Sequence, residues 1–312
     1  MIQEHLQEFG GKTVVDWEPG TALPDAAGTL ARISLDYDDY ESTKKWLDKF
    51  AAFLDDDSAS QIAGLVVGPW DYEMSVDSSP IVAALVESRD RLPNLTTLFI
   101  GDILSEENEI SWIQQGDVSP SFAAFPNLEH FGVRGGDGLS IGSPQHERLK
   151  SLVIQTGGLD AGIVHALTTA HLPQLEHLEL WLGTDDYGGT TTVQDLEPIL
   201  SGRLFPKLRS LGLCDSDIAD QVAQAVALAP VLERIRVLDL SLGTLGDEGA
   251  QALLSSPLVA KLEKLDIHYH FCSDETVEQL KAALPNVEVD ASDSQKPDLH
   301  GGESYRYVAV GE

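Results

Sequence analysis

Few places in this sequence put reactive side chains at a spacing that does chemistry. The densest is His268-Tyr269-His270-Phe271-Cys272, with Asp266 and Asp274 beside it. Imidazole, thiolate and carboxylate are all zinc ligands, but zinc needs about four of them converging as a tetrahedron. On an extended strand residues 268 and 270 share a face, whereas 272 falls beyond the expected turn. Cys272 also stands where neighbouring segments of similar pattern keep an apolar residue, Leu245 and Ile218. The expectation is that no metal is held here. The alternative is a metal-dependent enzyme or metal-binding protein that uses the His268/His270 region.

Other candidates are thinner. Asp36-Tyr37-Asp38-Asp39 and Asp55-Asp56-Asp57 suggest calcium but lack the glycine and distal glutamate of an EF-hand loop. The first cluster precedes a helical pattern over Glu41 to Leu54 and reads as capping. Gly135-Gly136-Asp137-Gly138 follows a strand pattern, yet no Gly-Lys-Ser/Thr follows to make a phosphate loop. There is no Gly-x-Ser-x-Gly elbow, and neither Cys214 nor Cys272 has a neighbour that would activate it. Two cysteines give no disulfide framework. The reading is therefore no catalytic residue, no metal and no cofactor.

Charge narrows the partners. Asp and Glu total 51 against 20 Lys and Arg, for a formal net charge of −31. Nucleic-acid affinity comes from cations neutralising phosphates, so DNA, RNA and anionic membranes are not expected partners. A basic protein is the attractive partner, although acidity also serves solubility alone. No apolar run is long enough for a transmembrane helix. The polar start, with Glu4 and Glu8, lacks the basic-then-apolar order of a signal peptide, so the expected compartment is the cytoplasm. A monomer is expected.

The elements that must position any site come from a repeat. The pattern Leu-x-x-Leu-x-Leu, or an apolar variant of it, begins at 30, 62, 95, 128, 149, 175, 208, 235 and 262, with a truncated copy at Val287-x-Val289. Successive differences are 32, 33, 33, 21, 26, 33, 27 and 27 residues. Pro93, Pro126, Pro173, Pro206 and Pro285 each stand two residues before a copy. Leu-x-Leu alternation makes a short strand with every second side chain inward. The chain must then return to start the next parallel strand. Helical returns are expected over Leu159 to Ala170, Ile218 to Ala229, Asp247 to Leu254 and Asp274 to Leu284. The 21-residue unit around Gly135 to Ser143 is too short for one and turns through a loop or a 3₁₀ segment.

The run from Leu238 to Leu254, with its Gly246-Asp247-Glu248-Gly249-Ala250 helix start, resembles the ribonuclease-inhibitor-like leucine-rich repeats. The whole chain, with its Gly10-Gly11 opening and Arg306 to Glu312 ending, also resembles an uncharacterised bacterial cytoplasmic repeat family. The resemblance spans roughly Leu30 to Asp290. It implies an α/β solenoid, a horseshoe with parallel strands on the concave face and helices on the convex face, and a protein-binding role. It carries over no catalytic residue. The family's turn asparagine or cysteine is replaced by Gly136, Gly157, Ser216, Gly243 and His270, which leaves the curvature open.

The expected organisation is an N-terminal cap over 1–29, about nine to ten repeats over 30–290, and a polar linker with a strand-like tail over 291–312. Val14 to Trp17 reads as a cap strand. The tail, Tyr305 to Val310, is expected to cover the edge of the last repeat, with a detachable binding peptide as the alternative. Residues flanking the inward leucines face out: Arg32, Ser34 and Asp36, then His130, Gly132 and Arg134, and Ser151 and Gln155. The expected protein-binding set is Arg134, His177, Glu179, Trp181, Asp239, Asp266 and His268. Trp181 is the anchor of that set or packs under the Thr184 to Thr192 insertion. Glu179, Asp239 and Asp266 form an acid row suited to a Lys or Arg.

Overall fold

The computed structural model describes residues 1–35, 42–72 and 75–311. Asp36, the cluster running to Asp39, the expected helix start at Glu41, and Glu312 lie outside the described residues. The chain forms two compact units. The first contains 2–154 and 169–173, and the second contains residue 1, 155–168 and 174–311.

The first unit runs β1 (Glu8–Phe9), β2 (Lys12–Asp16), β3 (Thr29–Ile33), α1 (Ser42–Leu54), β4 (Gly64–Val67), α2 (Ser79–Glu87), β5 (Thr97–Ile100), α3 (Pro120–Ala124), β6 (His130–Arg134) and β7 (Ser151–Gln155, whose last residue counts with the second unit). The second runs α4 (Ala161–Thr168), β8 (His177–Gly183), α5 (Val193–Leu200), β9 (Ser210–Ser216), α6 (Ala219–Ala227), β10 (Val237–Asp239), α7 (Asp247–Leu254), β11 (Lys264–Asp266), α8 (Asp274–Ala283) and β12 (Glu288–Asp290), then a hairpin, β13 (Asp298–His300) and β14 (Glu303–Tyr305). Strands β2 to β6, and β8 to β12, pair in parallel in chain order. The fold is thus α/β with mostly parallel sheet, and eight α-helices stand among the described residues.

Parallel pairing aligns the alternation of each strand with the next. In the first unit Leu65, Leu98 and Phe131 are mutual partners, and Val67, Ile100 and Val133 form the next column. These side chains face the helices, as the Phe131 ring does at 4.8 Å from Phe122 of α3. The first repeat departs from the expected frame. Ala31 and Ile33, rather than Ile33 and Leu35, stand opposite Leu65 and Val67. Leu35 is buried beyond the strand end. The buried Trp46 indole of α1 donates to the Ile33 carbonyl at 2.9 Å, which ties the strand end to the helix in this frame.

Helix starts follow local chemistry. Thr192 and Asp195 form a reciprocal capping box at α5, and the Ser273 hydroxyl accepts from the Thr276 amide at α8. Asp247 and Glu248 sit in the first turn of α7, where the helix dipole favours anions. No helix occupies the short return between β6 and β7. The end of β9 and the turns after β10 and β11 place Asp215, Leu242 and Tyr269 in the left-handed region, at φ 52°, 66° and 55°. Such a conformation costs roughly 1–2 kcal/mol for a residue with a Cβ. It is held because each amide donates to the following segment: Asp215 to Ser241, Leu242 to His268 and Tyr269 to Ser292.

The tail departs from expectation. Strands β13 and β14 form a sheet of their own, so the edge of β12 is not what the tail covers. Residues 306–311 instead cross those left-handed turns. Arg306 pairs with Asp220 at 3.0 Å, the Ala309 amide donates to Leu242 at 2.8 Å, and the Val310 amide donates to the Asp215 carboxylate at 2.9 Å. Val308 and Val310 are buried. Backbone groups at the turns attract an extended segment, and sequence alternation alone carries no information about which edge it meets.

Candidate binding face

The side of each sheet away from the helices is where outward residues gather, and the two units treat it differently. In the first unit the face is already occupied. The segment before β2 folds over it, and Leu6 and Phe9 pack on Val14, Leu30, Val66 and Phe99. The Phe9 and Phe99 rings meet edge to face at 5.2 Å. Gly132 makes this possible: a Cβ there would lie 2.3 Å from Phe99 Cδ2 and 3.0 Å from Phe9 Cζ.

Charged groups complete the same cover. Asp102 is fully buried and receives Arg32 Nη1 at 2.7 Å, Arg134 Nη1 at 3.3 Å and the Leu6 amide at 3.2 Å. His5 lies between Asp102 and Glu107, 3.4 Å from each. Hydrogen bonds to Asp102 and Glu107 raise the His5 pKa to about 9. Burial pushes the Asp102 carboxyl up, but His5, Arg134 and Arg32 more than offset it and hold it below the usual range. Arg134 therefore does not offer its guanidinium to a partner. It is 3% exposed, bonded to Asp102 and the Ile103 carbonyl, and stacked over Phe99. Sequence reasoning placed it on the right face and missed what covers that face.

In the second unit the expected residues come together. The register sets Glu179 beside Gly212, Asp239, Asp266 and Asp290 on consecutive strands, one carboxylate row interrupted by a glycine. Neighbouring strands lie about 4.8 Å apart, so these charges act on one another. The row includes Asp290, which the sequence reading left out because its repeat is truncated. Its partner, the Val287-x-Val289 alternation, was the available signal.

Each acid has its own environment. Glu179 accepts from the Trp181 indole at 2.8 Å and Gln155 at 3.3 Å, with His177 Nε2 at 3.6 Å. Burial alone would raise its pKa, and these partners, His177 foremost, bring it below the ordinary value. Trp181 is 9% exposed, so it stands as a wall that orients Glu179 rather than as a projecting anchor. Asp266 is bracketed by Lys264 at 2.9 Å and His268 at 2.7 Å. Burial opposes its ionisation, but His268 and Lys264 keep its carboxyl far below the usual range, and the same hydrogen bond raises His268. Asp239 is the exception. Its carboxylate accepts the Ser241 amide at 2.9 Å and is paired with no cation among the described residues, and burial together with the charges of Asp266 and Glu179 pushes its pKa up.

The metal alternative takes a different form from the expected one. His270 is buried and fully engaged: Nδ1 accepts the Cys272 amide at 3.0 Å and Nε2 lies 3.3 Å from the Ala291 carbonyl. It organises its turn, as His146 does in the first unit through the Arg148 amide and Phe125 carbonyl. His268 and His270 therefore do not converge. Cys272 is buried, which pushes its thiol up to about 12. Among the described residues, the group whose ligand atoms do come within 4.8 Å of one another is Asp266, His268 and Asp290, and there the Lys264 ammonium already supplies a cation to Asp266. No described helix is long and apolar enough to cross a membrane.

No family model matches the sequence, and no curated protein matches it. A crystal structure of a Bacteroides fragilis protein, solved as a structural-genomics target, is similar to it over 86% of this chain and 75% of that one, with a TM-score of 0.80. The two share the fold and 34% of their residues over that span, and on this ground the chain belongs to the same family as the Bacteroides fragilis protein.

Proposed function

We propose that the protein is a non-enzymatic protein-binding scaffold, a leucine-rich repeat horseshoe that grips a cationic segment of a partner on the concave strand face of its second unit. One observation carries the reading: Glu179, Asp239, Asp266 and Asp290 stand in register on a strand face. Within that row Asp239 is raised in pKa by burial and by like charges and has no cation of its own among the described residues. A lysine or arginine from a partner would relieve that repulsion, and a guanidinium can take a carboxylate in two parallel hydrogen bonds. His177 and Trp181 hold Glu179, and His268 holds Asp266. The reading includes a cytoplasmic monomer with no nucleic-acid or membrane partner, in keeping with a net charge of −31.

The test is affinity capture from the native cytoplasm at low and at moderate salt. The expected result is a stoichiometric partner whose retention falls with salt. It should be lost with the triple reversal Glu179→Lys, Asp239→Lys, Asp266→Lys and weakened with the milder Asp239→Asn, in variants whose circular dichroism matches wild type. Equal capture by wild type and Asp239→Asn across the salt range overturns the assignment to this row.

A further inference from the structure

A pocket of about 540 Å³ in the first unit, outside the acid row, is built around an exposed tryptophan. Its lining includes Tyr72, Glu107, Asn108, Trp112, Gln114 and Asp137. Trp112 is 64% exposed, whereas Ile110 and Ile113 on either side of it are buried. The short 3₁₀ turn is therefore anchored by its apolar neighbours, and the indole is held outside rather than left on a slack loop. The frame is bonded throughout. The Trp112 amide donates to Glu109 at 2.9 Å, the Gln115 amide donates to Asp137 at 2.7 Å, and the Gln115 side chain donates to the Arg134 carbonyl at 2.7 Å.

The lining chemistry selects one sign of charge. Asp137 accepts from Gln114 at 2.6 Å and is paired with no Lys or Arg among the described residues. Glu107 is the second carboxylate, already facing His5 at 3.4 Å, so Asp137 is the acid left for an incoming cation, and no lysine or arginine is among the described lining residues. An anion would meet repulsion. A cation would find an indole face, the best aromatic surface for a cation–π contact, with a carboxylate beside it. The volume falls in the range of pockets that hold a side chain or small ligand. We propose that this pocket takes the ammonium or guanidinium head of a lysine or arginine side chain from a partner protein, set against Trp112 and Asp137. It is a second cation-recognising point, independent of the Glu179 to Asp290 row.

The experiment follows the five indole N–H signals in a ¹⁵N–¹H spectrum of the full chain. The Trp112 signal is assigned with Trp112→Phe, a change at an exposed site. Capped Gly-Lys-Gly and Gly-Arg-Gly peptides are titrated in, with the acetyl-lysine peptide as the uncharged control. The expected result is a saturable shift of the Trp112 signal, with acetylation weakening binding by about 5- to 30-fold. Asp137→Asn should weaken it by about 2- to 5-fold. Asp185→Asn, the same charge change in the other unit, should leave it unmoved. Equal shifts from the lysine and acetyl-lysine peptides overturn the proposal, as does a Trp112 signal that moves with a neutral oligosaccharide and not with the cationic peptides. Equal weakening by Asp137→Asn and Asp185→Asn overturns it too, since only diffuse attraction would then be at work. Loss of capture in Asp239→Asn with an intact Trp112 shift separates the fate of the acid row from that of this pocket.

Discussion

Asp102→Asn tests what holds the segment before β2 against the sheet. The carboxylate is fully buried, and Arg32 and Arg134 around it keep 7% and 4% of their side chains exposed. Asparagine keeps the shape, removes the charge and turns an N–H₂ toward one of the guanidiniums. Removing one partner of a buried ion pair costs about 3–5 kcal/mol. Arg32 retains Asp16 at 2.6 Å and Arg134 retains the Ile103 carbonyl, which places the expectation at the lower end, about 3 kcal/mol. That corresponds to roughly a hundredfold loss in the folded ratio. Urea unfolding followed by tryptophan fluorescence reads it, since Trp17, Trp46 and Trp70 are buried in the first unit. A second arm is pH. His5 is raised from its ordinary 6.5 to about 9 by Asp102 and Glu107, so its contribution is fully present below pH 6.5 and is lost as pH rises through 9. Solvent screening of the partly open ring limits it to about 1–2 kcal/mol. His5→Gln should remove this slope. A cost under about 1 kcal/mol for Asp102→Asn, or identical pH profiles for wild type and His5→Gln, refutes the reasoning.

Two further outcomes are expected. Asp239→Asn should leave stability unchanged or raise it by about 0.5 kcal/mol at neutral pH, because like charges opposed across strands destabilise. That difference should close on acidification, as wild-type Asp239, whose folded pKa is raised, takes up its proton. A clear loss of stability in thermal unfolding of Asp239→Asn would show that the carboxylate is structural. Val310→Asp should release the tail, since Val310 is 4% exposed beside the buried Asp215, whose own pKa burial pushes well up. Hydrogen exchange at the Ala309 amide should quicken by about tenfold or more, and unchanged protection would mean the tail is held elsewhere.

The repeat was legible in the sequence because its cause is local. Alternating leucines demand a half-buried strand, and a glycine followed by acids starts a helix at Asp247 in the chain as in the fold. The outward positions were legible for the same reason, and parallel register then carries Glu179, Asp239 and Asp266 into one row. Helices α2, α3 and α5 are not among the expected returns, and α2 and α3 each start at a serine–proline step that also reads as a turn. His270 looked like a ligand because residue type does not tell a metal bond from a turn hydrogen bond.

What only the tertiary structure decided is which outward face stays open. Nothing local to Leu6, Phe9 or His5 says that they lie on Phe99 and Asp102, about 90 residues away. Nothing in Tyr305 to Val310 says that it crosses turns instead of pairing with an edge. Both are long-range choices settled by complementary surfaces: a glycine gap for Phe9, a buried carboxylate for a backbone amide. Alternation sets the direction in which a side chain points. Which chain comes to meet it depends on contacts distant in sequence, and these exist only once the strands have stacked.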